Sequence, residues 1–233
     1  MPYVNTSDAV HTLFLGAEGA ELDESNPENR FTIDWLDTVD AQLDQIVDAA
    51  PAALVITATG KFFTNGLDVD YIGANADKLP AYLDRVHALY ARVLTLPMPT
   101  VAAVNGHAFG AGAMLALCAD HRLMRTERGF WSLPEVLLGM PFTTGMASLL
   151  RVRLPDPTVT EAMTTGRRYG GADAVAAGIV EQAVDAEVLL ASASEIAASR
   201  ASLAGPTLTL IKKGLRAPLL ADLERPTPPS LLG

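Results

Sequence analysis

Apolar residues recur at intervals of three and four in two long segments, the spacing that places them on one face of a helix. Between Thr32 and Ala50 the stripe consists of Leu36, Val39, Leu43, Ile46, Val47 and Ala50. Thr32 stands where its side chain would cap the first turn. A second stripe, from about Lys78 to Leu96, consists of Tyr82, Val86, Leu89, Val93 and Leu96, and Pro97 and Pro99 end it. The pattern predicts two amphipathic helices.

Short, continuously apolar runs alternate with these and further helical stretches. Such runs are typical of strands covered on both faces. Strands are predicted at 53–58, 99–104, 121–124 and 179–182, and further helices after Gly112 and at 144–150, 173–178, 187–200 and 206–216. Residues 61–68 are predicted to form a polar loop, and the proline-rich stretch from Arg225 an irregular tail. The alternation indicates an α/β fold with parallel pairing.

Composition narrows the class of function. The 233 residues are 49% hydrophobic and 19% charged, enough to bury a large core in one globular unit. A net charge of −10 argues against general electrostatic binding of nucleic acid or of an anionic membrane. Cys118 is the single cysteine, so we expect a small core residue rather than a disulfide or a zinc site. The N-terminus lacks the features of a signal peptide, and we expect a cytoplasmic protein.

The sequence NGHAFGAGAML, residues 105–115, reads as a tight turn between a strand and a helix. A dinucleotide-binding loop would need glycine where Leu115 stands, and a Walker A loop would need lysine in place of Ala113. What remains is a helix N-terminus with unpaired backbone N–H groups that small residues leave accessible. The glycine-containing loop Asn65–Asp68 offers a second such donor, and two converging N–H groups would stabilise an oxyanion.

Glu135 is a lone carboxylate in the largely apolar stretch from Trp131 to Pro141. Burial among apolar groups raises the pKa of a carboxyl group towards the range useful for proton transfer at neutral pH. A helix cap or a structural ion pair explains the same residue equally well at this point.

Four motifs in order resemble the crotonase, or enoyl-CoA hydratase/isomerase, superfamily. They are Phe63-x-x-Gly66-Leu67-Asp68, Val104 to Gly112, Cys118-Ala119-Asp120 and Leu133-Pro134-Glu135-Val136-x-Leu138-Gly139. The resemblance covers residues 10 to 216. It implies a crotonase-like spiral of ββα units over residues 1–185 and a C-terminal helical oligomerisation region at 186–225, followed by an irregular tail at 226–233.

The resemblance also implies roles for individual residues. The backbone N–H groups of Leu67 and Ala111 would hold the thioester oxygen, with Glu135 as the catalytic base. Substrate-binding positions would be Phe63, Asn65, Gly66, Asp68, Gly110, Met114, Trp131 and Lys213. Asp68 and Asp120 are interpreted as structural ties as well, and Lys212, Lys213 and Arg216 either contact the phosphates of coenzyme A or form a solvated helix face.

Position 114 narrows the reaction. Family hydratases resemble one another in holding a water between two glutamates, and the first of these positions is Met114 here, which can neither orient nor deprotonate water. The sequence therefore predicts a Δ3,Δ2-enoyl-CoA isomerase with Glu135 as a single proton shuttle. A hydratase or other enolate-forming enzyme, and a non-catalytic acyl-CoA-binding homologue, are the alternatives. We expect coenzyme A only as part of the substrate, no metal, and assembly as a homotrimer or a dimer of trimers.

Overall fold

The computed structural model describes residues 1–20, 28–49 and 52–231. The strands are β1 (Tyr3–Ser7), β2 (Val10–Phe14), β3 (Ala53–Thr57), β4 (Phe62–Thr64), β5 (Thr100–Val104), β6 (His107–Phe109), β7 (His121–Arg125), β8 (Trp131–Ser132) and β9 (Gln182–Val184). The helices are α1 (Ile33–Asp48), α2 (Val69–Ala74), α3 (Leu79–Thr95), α4 (Ala111–Cys118), α5 (Glu135–Leu138), α6 (Thr144–Arg153), α7 (Asp156–Thr165), α8 (Gly171–Ala176), α9 (Ala186–Arg200), α10 (Pro206–Leu215) and α11 (Ala217–Leu223).

The strands form two sheets. The larger has the order β1-β2-β3-β5-β7-β9, with β1 antiparallel to β2 and every other pair parallel. The smaller is the parallel sheet β4-β6-β8. Each of β3, β5 and β7 therefore leads into a strand of the small sheet and then into a helix, the predicted ββα repeat.

The long helices begin and end close to the predicted positions. Thr32 caps α1 by accepting a hydrogen bond from the backbone N–H of Trp35, and α3 ends two residues before Pro97. The five apolar residues of the α3 stripe are all buried. Ala50, the last predicted member of the α1 stripe, lies outside the described residues.

Helix α9 covers one face of the large sheet. Leu189, Ala193 and Ala197 of this helix form a cluster with the sheet residues Val55 and Val101. Helix α9, the first of the C-terminal helices, therefore packs against the sheet. The role of 186–225 in oligomerisation stays a prediction, and within it α10 and α11 are the helices beyond the sheet.

Several boundaries differ from the predictions. The loop predicted at 61–68 and the stretch 105–115, interpreted as a turn leading into a helix, each contain a short strand, β4 and β6. These strands form because they pair with one another and β6 also pairs with β8. The strand predicted at 179–182 begins at Gln182 instead, since Ile179 and Val180 are core residues in the turn after α8. The hairpin β1–β2 and helix α11 were not predicted.

Candidate active site

The loop after β4 is fixed by hydrogen bonds on both sides of Leu67. The carbonyl of Gly66 accepts a hydrogen bond from the N–H of Phe31 (2.8 Å). The N–H of Asp68 donates to the hydroxyl of Tyr82 (2.9 Å), which in turn donates to the carbonyl of Phe31 (2.8 Å). The peptide groups that flank Leu67 are therefore held in place.

The N-terminus of α4 approaches this loop so closely that only glycine is accommodated. A Cβ atom built on Gly66 would lie 2.6 Å from the carbonyl oxygen of Phe109 and 3.1 Å from the backbone nitrogen of Ala111. Gly66 and Gly110 both have positive φ angles, +82° and +51°, which glycine adopts without strain. The hydroxyl of Tyr90 holds the first turn by donating to the carbonyl of Ala111 (2.8 Å).

The backbone N–H groups of Leu67 and Ala111 are both available as donors. Neither donates a hydrogen bond to any residue in the described part of the chain. Ala111 opens α4, where a backbone N–H has no partner within the helix. Two adjacent N–H groups, one of them at the positive end of a helix, are suited to an anionic oxygen.

Glu135 lies beside these donors, at the start of α5. Its Oε1 would be 3.0 Å from a Cβ atom built on Gly110. Its Oε2 is buried and has no hydrogen-bond partner among the residues described. Burial raises the pKa of Glu135 to about 7, so the group exchanges a proton near neutral pH, as predicted from its apolar surroundings. The alternative of a structural ion pair is wrong for the described residues, because no cation pairs with this carboxylate.

These groups share one small cavity of about 20 Å³, room for about one water molecule. Its wall consists of Leu67, Leu79, Leu83, Ala111, Met114, Glu135, Met140, Pro141, Thr143, Met146 and Leu231. Glu135 is the ionisable side chain in this wall. Met114, which is fully buried, contributes a thioether, which can neither orient nor deprotonate water. The arrangement offers one base and two oxyanion donors in an apolar setting.

Other predicted substrate-binding residues lie outside this wall. Phe63 and Trp131 are fully buried in the core, and Trp131 supports α4 by donating from Nε1 to the carbonyl of Ala113 (3.0 Å). They are therefore core residues rather than pocket residues, which corrects the prediction. Asn65 is tied to Glu28, and Asp68 caps α2 by accepting from the N–H of Tyr71 (3.2 Å), as its structural interpretation predicted.

The three basic residues at the end of α10, Lys212, Lys213 and Arg216, have two different environments. Lys213 is exposed, and its contact with coenzyme A stays a prediction. Lys212 and Arg216 are buried and pair with Asp120 at 2.5 and 3.1 Å. Although burial alone would raise it, these two cations hold the pKa of Asp120 below its usual range. For Lys212 and Arg216, both the phosphate contact and the solvated face are therefore wrong.

The remaining candidates have structural roles. Cys118 is fully buried, and burial raises the pKa of its thiol to about 12. His107, the first residue of β6, accepts a hydrogen bond at Nδ1 from the backbone N–H of Phe130 (3.2 Å). In the described ranges no cluster of three or more His, Cys, Asp or Glu side chains is arranged to hold a metal ion. Nor is any described helix long and apolar enough to cross a membrane.

The sequence pattern does not identify several of the residues that line the cavity. Thr143 lines the cavity and caps α6. Its position directly before the helix predicted at 144–150 is typical of a helix cap but does not indicate a pocket residue. Met140, Met146 and Leu83 were unassigned apolar residues, and no local pattern distinguishes a pocket wall from a core. Leu231 had no signal, because its position in the wall depends on how the tail folds back.

The chain is similar in sequence and fold to known proteins. The family model described as enoyl-CoA hydratase/isomerase matches residues 20–226. The peroxisomal enoyl-CoA delta isomerase 2 of Arabidopsis thaliana is 35% identical over 166 residues, which span 67% of this chain and 69% of that protein. Carnitinyl-CoA dehydratase of Citrobacter koseri is 33% identical over 164 residues, 70% of this chain and 62% of that protein. An enoyl-CoA hydratase/isomerase family protein of Pseudomonas syringae superposes with a TM-score of 0.87 at 25% identity over 96% of this chain and 93% of its own. The predicted crotonase-like fold is thereby confirmed.

Proposed function

The chain belongs to the enoyl-CoA hydratase/isomerase family, and from this premise we propose that it is a Δ3,Δ2-enoyl-CoA isomerase. The observation that carries the proposal is Glu135, the ionisable side chain of a cavity that also contains the free N–H groups of Leu67 and Ala111. One carboxylate beside two oxyanion donors is sufficient for a double-bond shift. Three relatives named enoyl-CoA delta isomerase, 31 to 35% identical, support it.

The reaction requires one proton to move and return. The Glu135 carboxylate removes a proton from C2 of a 3-enoyl-CoA, and the electron pair of that C–H bond delocalises through the diene to the thioester oxygen. The N–H groups of Leu67 and Ala111 stabilise the resulting dienolate, a contribution of about 3 kcal/mol for each donor. Neutral Glu135 then returns the proton at C4, which leaves the double bond between C2 and C3. The pKa of about 7 suits this role, since both directions of proton transfer remain accessible.

A second candidate function is hydration or dehydration of the same class of thioester. It is favoured by the similarity to carnitinyl-CoA dehydratase and by a cavity with room for about one water. Met114 argues against it, because a methionine cannot act as the second acid or base.

The deciding experiment offers the purified protein 3-enoyl-CoA and 2-enoyl-CoA and follows the conjugated and 3-hydroxy products separately. We expect isomerisation of the 3-enoyl substrate and little hydration of the 2-enoyl substrate. Rapid formation of 3-hydroxyacyl-CoA would overturn the isomerase assignment, and acyl-CoA binding without turnover of either substrate would support the non-catalytic homologue. Introducing a carboxylate by Met114→Glu should bring at most a modest gain of hydration, because the side chains of the remaining wall, apart from Glu135 and Thr143, are apolar.

Assembly as a homotrimer or a dimer of trimers is part of the proposal. In its favour, α10 and the turn before it expose four large apolar side chains, Leu203, Leu210, Ile211 and Leu215, each more than half exposed. A cluster of this kind marks an interaction surface. Sedimentation analysis of the wild type and of Ile211→Asp tests it: we expect a trimeric or hexameric mass that falls in the variant. A cytoplasmic location, which cell fractionation tests, is proposed as well.

A further inference from the structure

The segment after α11 turns back against α3. Thr227 is buried, and its backbone N–H donates to Oδ1 of Asp84 on α3 (2.8 Å). Four residues later, the N–H of Leu231 donates to the carbonyl of Pro228 (3.1 Å), which closes a turn. Residues 226–231, which we call the C-terminal strap, are therefore tied to α3 at one end and folded on themselves at the other.

The strap ends in the wall of the active-site cavity. Leu231 packs against the main hydrophobic core and lines the same cavity as Glu135, Leu67 and Ala111. With the strap in this position the cavity measures about 20 Å³, room for about one water molecule, so Leu231 leaves little space for an acyl chain. Five other wall residues, Leu79, Leu83, Ala111, Met114 and Met146, belong to helices α3, α4 and α6, whereas Leu231 is held by a six-residue segment that follows α11.

We propose that Leu231 determines the length of the acyl chain that the enzyme accepts, with the Thr227–Asp84 hydrogen bond holding it in place. This inference rests on the proposed function and adds that the acyl chain beyond C4 extends from the site of proton return into the apolar part of the cavity. A leucine side chain at that end limits the substrates to short-chain 3-enoyl thioesters.

The anchor of the strap connects to the pocket by a second route. Oδ1 of Asp84 also lies 4.0 Å from Nδ1 of buried His87, and Nε2 of the same ring is hydrogen-bonded to the hydroxyl of Thr143 (2.7 Å). Thr143 is itself a wall residue of the cavity. Asp84 thus contacts the cavity wall through His87 and Thr143 and also holds the strap through Thr227. Removing the Asp84 carboxylate should therefore alter the same chain-length specificity as shortening Leu231.

The test compares kcat/KM for 3-hexenoyl-, 3-octenoyl- and 3-decenoyl-CoA in the wild type, Leu231→Ala, Leu231→Met and Asp84→Ala. The wild type should prefer 3-hexenoyl-CoA. Each additional methylene buried in an apolar site contributes about fourfold, so Leu231→Ala should raise the octenoyl to hexenoyl ratio by about 16-fold. Leu231→Met, of similar volume, should retain the wild-type ratio, and Asp84→Ala should shift it in the direction of Leu231→Ala.

Controls separate this inference from the proposed function. Ser230→Ala changes the exposed neighbour of Leu231 and should leave the ratio unchanged. Calorimetric affinities for butyryl-, hexanoyl- and octanoyl-CoA, which are not isomerised, give the same length preference without catalysis. If no variant isomerises any substrate but Leu231→Ala still gains affinity for octanoyl-CoA, the reaction is misassigned and the length determinant stands. A ratio unchanged by Leu231→Ala in both assays would overturn the inference.

Discussion

Replacement of Glu135 by glutamine should stabilise the protein, and more so at alkaline than at acidic pH. Burial raises the pKa of Glu135 from its ordinary 4.5 to about 7 in the folded state. Because the folded pKa is the higher one, the native state favours the neutral form. The resulting stability is fully present below pH 4.5 and is lost as the pH rises through about 7.

The size of the effect follows from the same two values. A rise from 4.5 to about 7 corresponds to about 3 kcal/mol between the acidic and alkaline limits. Between pH 5.5 and pH 8.5, where the protein is practical to handle, the wild type should lose about 2 kcal/mol that the glutamine variant retains. For a chain of this length that is about 4 to 8 °C in Tm.

Thermal unfolding of wild type and Glu135→Gln at pH 5.5 and 8.5, at one protein concentration, measures this difference. The comparison across pH removes any constant effect of the amide, such as an unpaired N–H. Glu195→Gln, an exposed glutamate on α9, is the matched control and should shift Tm equally at both values. If Glu135→Gln also shifts Tm equally at both, the carboxyl group is not desolvated in the folded protein, and Glu135 does not have the raised pKa that a proton shuttle at neutral pH requires.

Four further predictions concern Glu135, the glycine-containing loop and the two lysines of α10. The kcat/KM for 3-enoyl-CoA should rise about tenfold per pH unit below 7 and level off above, as Glu135 ionises; a flat profile would contradict its role as base. Gly66→Ala should lower kcat/KM by about 100-fold, since its Cβ would lie 2.6 Å from a backbone oxygen, whereas Gly73→Ala, with nothing within 4 Å, should leave activity intact. Lys212→Met should lower the free energy of unfolding by about 3 kcal/mol, because it removes one cation from a buried cluster. Lys213→Met should instead raise KM for acyl-CoA about fivefold without changing Tm, and a reversed result for the two lysines would refute their assignment.

Sequence patterns predicted those parts of the fold that depend on local periodicity. The α3 stripe and the buried β3 run are long or uniform enough to specify an element, and Thr32 carries a side chain suited to a helix cap. Strands β4, β6 and β8, of two or three residues each, contain too few positions for any period and exist because they pair with one another.

The site was predictable to a similar degree. Glycines 66 and 110 indicated where backbone must come close, and the apolar surroundings of Glu135 indicated a raised pKa. Lys212 was misassigned because its partner, Asp120, lies 92 residues away and no local pattern reports that pairing. Leu231 could not be placed for the same reason.

The apolar wall links the energetics of the fold to the choice of reaction. The desolvation that destabilises the Glu135 carboxylate also raises its pKa to about 7. In the proposed isomerisation, this pKa lets Glu135 accept a proton from C2 and hold it. Once protonated, the group faces Met114 and other apolar side chains rather than a second carboxylate that could position water. Hydration needs an ordered nucleophile at this point, whereas an isomerase needs only that the proton has no competing acceptor. We therefore expect the features that make Glu135 costly to the folded state to be those that favour return of its proton to C4.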